Sequence, residues 1–543
     1  MTRPGHRAVA LPSQEDAACA VLEGAESRTG EAYAAVAETH SAVVFFAGDR
    51  AYKLKKPVAL GFLDFTNPRV RAAACRRELE LNRRFAPDVY LGIAAVHGPD
   101  GRVCDHLVVM RRMPTDRRLS ALVRAGAPVE GPLRQVARVL AAWHARAPRS
   151  AQIAAQGSPE AVWARWEASI KQLRGFAGRL PEPVPVDEVE RLARRFVSGR
   201  AALFEERVRG GYIVDGHGDL LADDIFCTGD GVRILDCLEF DDRLRWMDGL
   251  DDAAFLAMDL ERLGAADLAE KFTGWYAGYS ADPVPAALRH HYLAYRAFVR
   301  TKIAFLRAAQ GDPAGGAEAW QLTGMTLRHL RAGAVTLVLV GGLPGTGKTA
   351  LAGALAGQLG FTVLSSDRIR KELAGVPAEQ RCAAPWQTGI YAPHWTERTY
   401  QELLRRAGRL LARGESVIAD ASWESPGRRA AAAALAGAAQ ADLVALRCIA
   451  PADVAQQRLA ARTAGISDAG VAVARQMAAM QAPWPEAVTI DTGGPGPGAG
   501  QPGPPGSADA DADADAVQRA IKAIRPPGPQ HAWRPVRPVM VPD

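Results

Sequence analysis

At 543 residues the chain is too long for one ordinary domain. With 48% hydrophobic and 23% charged residues, two or three domains can each build a full core. A net charge of +6 and a pI near 9.0 are modest for this length, and arginines are scattered among acids, which argues against a nucleic-acid footprint. The seven cysteines (Cys19, Cys75, Cys104, Cys227, Cys237, Cys382 and Cys448) stand far apart with no C-x-x-C pair. Their spacing speaks against a disulfide framework or a zinc site and for the reduced thiols of a cytosol. The first residues, MTRPGHRAVALPSQED, lack the apolar core of a signal peptide, and no 18-residue apolar run occurs. The expectation is a soluble, cytoplasmic protein without membrane contact.

Residues 1–40 read as an N-terminal extension with one or two short helices. Ser41–Phe46 and Ala51–Lys55 read as the two strands of a hairpin turned at Gly48-Asp49. A helix is expected over about Asn67–Phe85, because Asn67 can cap and Pro68 fits a first turn. Strand-like runs follow at Gly92–His97 and His106–Arg112, then an arginine-rich helical stretch from Leu119 to Arg207. Tyr212-Ile213-Val214 leads into a loop, Val232–Leu235 is a strand, and helices resume from Asp251 to about Ala309. After the breaker cluster Gly311–Gly316 and one more helix to Arg331, strands (335–340, 361–365, 416–420, 443–449, 488–490) alternate with helices. That alternation predicts a parallel α/β sheet. Residues 493–516 (GGPGPGAGQPGPPGSADADADADA) have nothing to bury and are expected to be disordered. A short helix over Val517–Ile524 and a mobile Pro/Arg tail complete the chain.

Two sets of residues carry chemistry. The first is a strand lysine, Lys53, a helix glutamate, Glu78, the loop His217-Gly218-Asp219 running to Asp224, and a strand-end aspartate, Asp236. Positioned carboxylates, a metal and a lysine are what phosphoryl transfer requires, since its loose transition state demands little covalent work. In this order the set resembles the aminoglycoside phosphotransferase family, within the protein-kinase-like fold, over residues 40–310. The resemblance implies that Lys53 holds the α/β-phosphates and that Glu78 pairs with it. It further implies that Asp219 takes the acceptor's proton and that Asp236 binds Mg²⁺ together with position 224. The family usually has Asn where this chain has Asp224, which keeps an oxygen ligand but adds negative charge beside Asp219. No G-x-G-x-x-G lies near residues 41–50.

The second set is Gly342-Leu343-Pro344-Gly345-Thr346-Gly347-Lys348-Thr349, a G-x-x-x-x-G-K-[ST] loop between an apolar strand and an Ala/Leu-rich helix. Its glycines let backbone N–H groups turn onto phosphates, Lys348 supplies a charge, and Thr349 can ligate Mg²⁺. Asp367 and Arg370, after the next strand, fit an acceptor-activating carboxylate beside an anion-binding guanidinium. Asp420 ends a later strand as a Mg²⁺-shell acid and is followed by Ala421-Ser422, without the second acid of a mechanical ATPase. Arg458 and Arg462, at i and i+4, suit a lid over the phosphates. Residues 333–492 resemble the small P-loop kinases that include polynucleotide kinase, zeta-toxin and chloramphenicol phosphotransferase. In that group the Asp of D-x-x-R activates the acceptor hydroxyl, which maps onto Asp367 and Arg370. The whole order resembles fused bacterial bifunctional phosphotransferase/ATP-binding proteins.

The expected architecture is thus an α+β kinase-like domain over 41–331 and an α/β P-loop domain over 332–492. Its cofactors would be ATP and Mg²⁺, and its partner a small-molecule hydroxyl acceptor of unspecified identity. Two alternatives stay open: a regulatory nucleotide-binding protein with an impaired first domain, and a P-loop domain acting on nucleic-acid 5′-hydroxyls. Other features read as packing or solvated surface: the pairs Arg111-Arg112 and Arg117-Arg118, His290-His291, and Trp163 with Trp166.

Overall fold

The computed structural model describes residues 34–38, 41–59, 64–176, 184–309, 312, 314–382, 387–461, 467–493 and 514–525. The first unit opens with five antiparallel strands: β1 (Ala34–Glu38), β2 (Ala42–Ala47), β3 (Arg50–Lys55), β4 (Tyr90–His97) and β5 (Val103–Arg111). Their order in the sheet is β1-β2-β3-β5-β4. The hairpin turns at Gly48-Asp49 as the sequence predicts. β1 is a correction, since these residues were expected to be helical. Ala34–Glu38 pairs in register with Val43–Ala47, so a strand ladder overrides the helix preference of its alanines.

The helix Pro68–Asn82 packs across β4 and β5. Asn67 caps it by accepting from the Arg69 N–H at 2.9 Å, with Pro68 in the first turn. Below the sheet lies a helical half in which two small antiparallel pairs hold the functional loops. These are β6 (Ile213–Asp215) with β9 (Trp246–Asp248), and β7 (Ile225–Thr228) with β8 (Gly231–Ile234). The helix Gly249–Arg262 follows and is buried along nearly its whole length.

The second unit is an all-parallel sheet of β10 (Thr336–Gly341), β11 (Thr362–Ser365), β12 (Val417–Asp420), β13 (Asp442–Ile449) and β14 (Val488–Asp491). Its order is β11-β12-β10-β13-β14. β10 is central and buried at every position, which explains its unbroken apolar run. Each buried Val or Leu there contributes about 1.5–3 kcal/mol. The strand order reverses at β10, so the C-terminal ends of β10, β11 and β12 meet at one edge, with Val340, Ser365 and Asp420 in register. The helix Ala514–Ile524 packs Ala516, Val517, Ala520 and Ile524 into the core on this unit's β14 side. Of the run 493–516 expected to be disordered, 494–513 lies outside the described residues, as does the tail beyond 525, but 514–516 form the first turn of this helix, which starts three residues earlier than expected because Ala516 packs into the core.

The two units are not separate globules. One apolar cluster runs without a break from Leu81 of the first unit to Trp484 of the second. At the joint Gly199 lies against the P-loop unit so closely that a Cβ would stand 2.6 Å from the Ala439 oxygen. The neighbouring Arg200, 1% exposed, donates to the main-chain oxygens of Leu411 and Gln440 across the joint. Arg195 with Asp442 and Arg413 with Glu206 flank it. Among the described residues no helix is long and apolar enough to cross a membrane.

Candidate functional site

In the first unit, β3 turns Lys53 toward the Pro68–Asn82 helix. Its Nζ lies 2.9 Å from Glu78 Oε1 and 2.5 Å from Asp236 Oδ1. Three residues predicted from separate parts of the chain therefore meet at one ammonium group. Burial works to raise Glu78, but Lys53 and Lys55 overcome it and hold its carboxyl down at about 2. Burial opposes charge on Lys53 as well, yet Asp236 and Glu78 raise its pKa well above the ordinary value. Asp236 sits just past β8 with φ of +63°, a left-handed conformation that aspartate tolerates better than most residues. Its N–H donates to the Tyr90 hydroxyl at 3.1 Å, and the next N–H, of Cys237, donates to Asn82 Oδ1 at 2.8 Å. The loop is thereby tied to the helix that carries Glu78.

The loop between β6 and β7 is held from beneath by Asp252, which the sequence reading missed. Its carboxylate accepts the His217 N–H at 2.8 Å and the Gly218 N–H at 2.9 Å, and faces His144 Nε2 at 3.0 Å. Burial would raise Asp252, and the His144 bond with these N–H donors brings it down to about 2. The available signal was weak, a pair of acids in the first turn of an apolar helix, Leu250-Asp251-Asp252-Ala253-Ala254-Phe255, where acidic residues are common without any further role. His217 Nε2 faces the Leu235 oxygen at 2.9 Å, and burial lowers the ring's pKa, so the imidazole is a neutral prop for the loop.

Burial raises Asp219, with Arg300 the leading opposing charge. Asp224 is raised well above the ordinary carboxylate value, by burial first and then by the charges of Asp236 and Asp219. Among the described residues no three acidic, histidine or cysteine side chains close on one point, and Asp236 is paired with Lys53. Carboxylates that suppress one another's ionisation still form a donor set that suits a hard cation. Arg117 and Arg118 donate to the oxygens of Cys227 and Asp223, so they hold the loop strands. His291 stacks on Phe196 with centroids 4.4 Å apart, and Trp166 is fully buried beside it, both as packing predicts.

In the second unit the loop after β10 has φ of +142° at Gly342, +84° at Gly345 and +78° at Gly347. A Cβ on Gly342 would meet the Cys448 oxygen at 2.6 Å, so both conformation and space require glycine there. Thr346 Oγ1 donates to the Leu343 oxygen at 2.8 Å, and Thr492 Oγ1, after β14, donates to the Thr346 oxygen at 2.5 Å. The helix Lys348–Leu359 begins at the loop, with the Lys348 ammonium 3.5 Å from the Leu343 oxygen. Thr349 Oγ1 donates to Asp420 Oδ2 at 2.8 Å, while Asp420 Oδ1 is buried without a partner. An orphaned carboxylate oxygen beside a threonine hydroxyl fits a Mg²⁺ ligand pair.

Lys348, Asp367 and Arg370 line one cavity of about 190 Å³, together with Tyr391, Glu424 and Asp468. Ser365 caps the helix Ser366–Leu373 and aims Asp367 and Arg370 from its first two turns. Arg370 is 6% exposed and donates to the Ile390 oxygen and Thr396 Oγ1, each at 3.1 Å. Its Nε has no partner, and Tyr391 stacks against the guanidinium. Glu424 is a correction to the reading of β12. The second acid is absent from Ala421-Ser422, but Trp423, at φ of +52°, turns the chain and brings Glu424 to the cavity beside Arg428 and Ser422. Arg458, on the helix Ala452–Ala461, donates to the Thr492 oxygen at 2.8 Å and leaves Nη1 unpartnered against Gly347. Arg462 lies outside the described residues.

With this geometry in hand, comparisons place the chain among known proteins. Residues 337–484 match the family model described as AAA domain. The Mycobacterium tuberculosis protein named Uncharacterized protein Rv2004c is 45% identical over 467 residues, spanning 86% of this chain and 94% of the relative. A Mycobacterium bovis protein matches to the same extent. The chain belongs to their family. A choline/ethanolamine kinase family protein from Mesorhizobium loti overlaps 55% of this chain and 92% of its own, at 18% identity and a TM-score of 0.36. That overlap is too loose to carry an assignment, and the first unit's kinase-like fold rests on its own sheet order and its Lys53–Glu78–Asp236 contacts. In this chain a first unit with a kinase-like lysine–glutamate–aspartate arrangement is joined to an α/β P-loop unit.

Proposed function

We propose that the protein is a bifunctional phosphotransferase, each unit moving the γ-phosphoryl group of ATP to a hydroxyl of a small molecule. The observation that carries this reading is the shared cavity of Lys348, Asp367 and Arg370, where a phosphate-binding lysine and a free carboxylate face the same space. In the second unit the acceptor O–H would give its proton to Asp367 as its oxygen bonds to the γ-phosphorus. The bond from that phosphorus to the β–γ bridging oxygen breaks, and ADP leaves. Lys348 and the loop N–H groups stabilise the charge that collects on the phosphate oxygens. Thr349 and Asp420 would hold Mg²⁺, which supplies neutralisation of the β/γ oxygens.

In the first unit Asp219 would take the acceptor proton while Lys53 orients the phosphates, with Asp236 and Asp224 as the Mg²⁺ donors. Crowding of Asp224 by Asp219 and Asp236 favours a second reading for this unit alone, a nucleotide sensor with weak turnover. A metabolite screen with labelled ATP, run on the parent, Lys53→Ala and Lys348→Ala proteins, tests both. Bifunctionality predicts two labelled products, each lost in one variant. A product set untouched by either substitution would sink the proposal, and a single product lost only with Lys348→Ala would select the sensor reading.

A further inference from the structure

The first site contains a second lysine that phosphate binding does not call for. Lys55 stands two residues after Lys53, on the same face of β3. It is 2% exposed, and its Nζ lies 2.8 Å from Glu78 Oε2, while Lys53 Nζ lies 2.9 Å from Oε1. Each oxygen of one fully buried carboxylate therefore has its own ammonium group. Lys55 also donates to Glu239, three residues beyond Asp236, and sits 5.1 Å from the centre of the Phe65 ring. The result is a row of alternating charges, Lys53–Glu78–Lys55–Glu239, that joins the sheet, the Pro68–Asn82 helix and the segment after β8.

The placement has a consequence for the helix. Lys53 is shared between Glu78 and Asp236, at 2.9 and 2.5 Å. A polyphosphate that drew Lys53 away would strand a Glu78 that had no other partner, and a buried charge losing its counter-ion is strongly destabilised. With Lys55 and Glu239 in place, Glu78 keeps a cation and Lys55 keeps its charge balanced.

Resting on the reading of the first unit as a phosphotransferase, we infer that Lys55 and Glu239 are positioning residues. They hold Glu78, and with it the Pro68–Asn82 helix, in place independently of Lys53, so that Lys53 is free to engage phosphates. The helix is then docked before nucleotide arrives.

The test uses the full chain carrying Lys348→Ala, so that only the first site binds. Two quantities are read: amide hydrogen exchange across residues 68–82 without nucleotide, and the affinity for Mg²⁺ with a non-hydrolysable ATP analogue by calorimetry. Lys55→Met and Glu239→Gln are each expected to weaken the affinity roughly tenfold, about the worth of one charge-assisted hydrogen bond. They should also speed exchange selectively in that helix, and Lys55→Arg should recover both. Unchanged helix exchange in Lys55→Met, exchange faster throughout the chain, or no rescue by Lys55→Arg would overturn the assignment. If the Lys348→Ala parent itself binds no nucleotide, the phosphotransferase reading of the first unit falls. The helix exchange would still decide what Lys55 and Glu239 do.

Discussion

At the first site Lys53, Lys55, Glu78 and Glu239 form a row in which each side chain meets an opposite charge. At the second site, Asp420 Oδ1, Arg370 Nε and Arg458 Nη1 are buried without a hydrogen-bond partner in the protein, whereas the Glu78 oxygens, which also lack one, lie 2.9 and 2.8 Å from ammonium groups. Buried polar atoms without hydrogen bonds are costly, and beside a phosphate-binding loop they suit contacts to ligand atoms. The contrast separates a site assembled in advance from one whose last contacts come with its substrates. The largest effects that could break it concern the proposed proton acceptors. Asp219→Asn at the first site and Asp367→Asn at the second should each lower turnover at their own site by about 10²–10⁴-fold and leave the other site intact. Single-turnover transfer from labelled ATP reads both, and a variant that silenced both sites at once would end the picture of two independent chemistries.

The independence proposed for the chemistry does not extend to folding. Arg200 and the shared apolar cluster make one cooperative body of the two units. Burial and the nearby Arg195 charge lower the Arg200 pKa to about 10, so the side chain is kept in the joint by its two carbonyl bonds and its packing. Arg200→Met would orphan those carbonyls at a cost of about 3 kcal/mol. Denaturant unfolding should show one transition in the parent and a lower midpoint in the variant. Two transitions in the parent would show the units to be thermodynamically separate. For the same reason the isolated stretch 1–331 should expose the apolar side chains of the joint and fail to give a stable fold.

Much of this was legible in the sequence where a single local rule decides. Gly342–Thr349 follows a six-residue apolar strand and opens a helix, and the backbone leaves no other choice at Gly342. Asn67-Pro68 announced the helix that carries Glu78. What stayed hidden depends on contacts between distant segments. β1 is alanine-rich and becomes a strand only because β2 has a free edge. Glu424 reaches its cavity through the left-handed Trp423, which no spacing rule anticipates. Asp252 is only weakly flagged, as an acid in the first turn of an apolar helix, and its target, the His217-Gly218 backbone, becomes visible only in three dimensions.

The partnerless groups of the second site also predict a thermal difference. MgATP should raise the melting temperature of the Lys53→Ala protein, whose second site is intact, more than that of the Lys348→Ala protein. At a hundredfold excess over Kd, mass action supplies about 2.7 kcal/mol, and the tighter site reaches that excess first. Equal shifts across a titration from micromolar to millimolar nucleotide would mean that the orphaned groups add nothing to affinity, and the contrast between the sites would lose its energetic content.

The smallest effect probes the first unit's helical core through acid. His291 stacks on Phe196 in the helix that leads to Arg200, and its Nε2 accepts from Trp166 Nε1 at 3.4 Å. Burial, with Arg165 nearby, lowers its pKa from 6.5 to about 3, so the folded protein keeps the ring neutral while the unfolded chain protonates it below pH 6.5. The stabilisation it gives is complete above pH 6.5 and is lost as pH falls toward 3. His291→Gln keeps an acceptor for Trp166 but does not titrate. The variant should be less stable than the parent at pH 7, and the gap should close by about 1 kcal/mol by pH 5.5. Chemical denaturation at both pH values measures this difference, and a gap that stayed constant would mean that the ring is solvated in the folded protein.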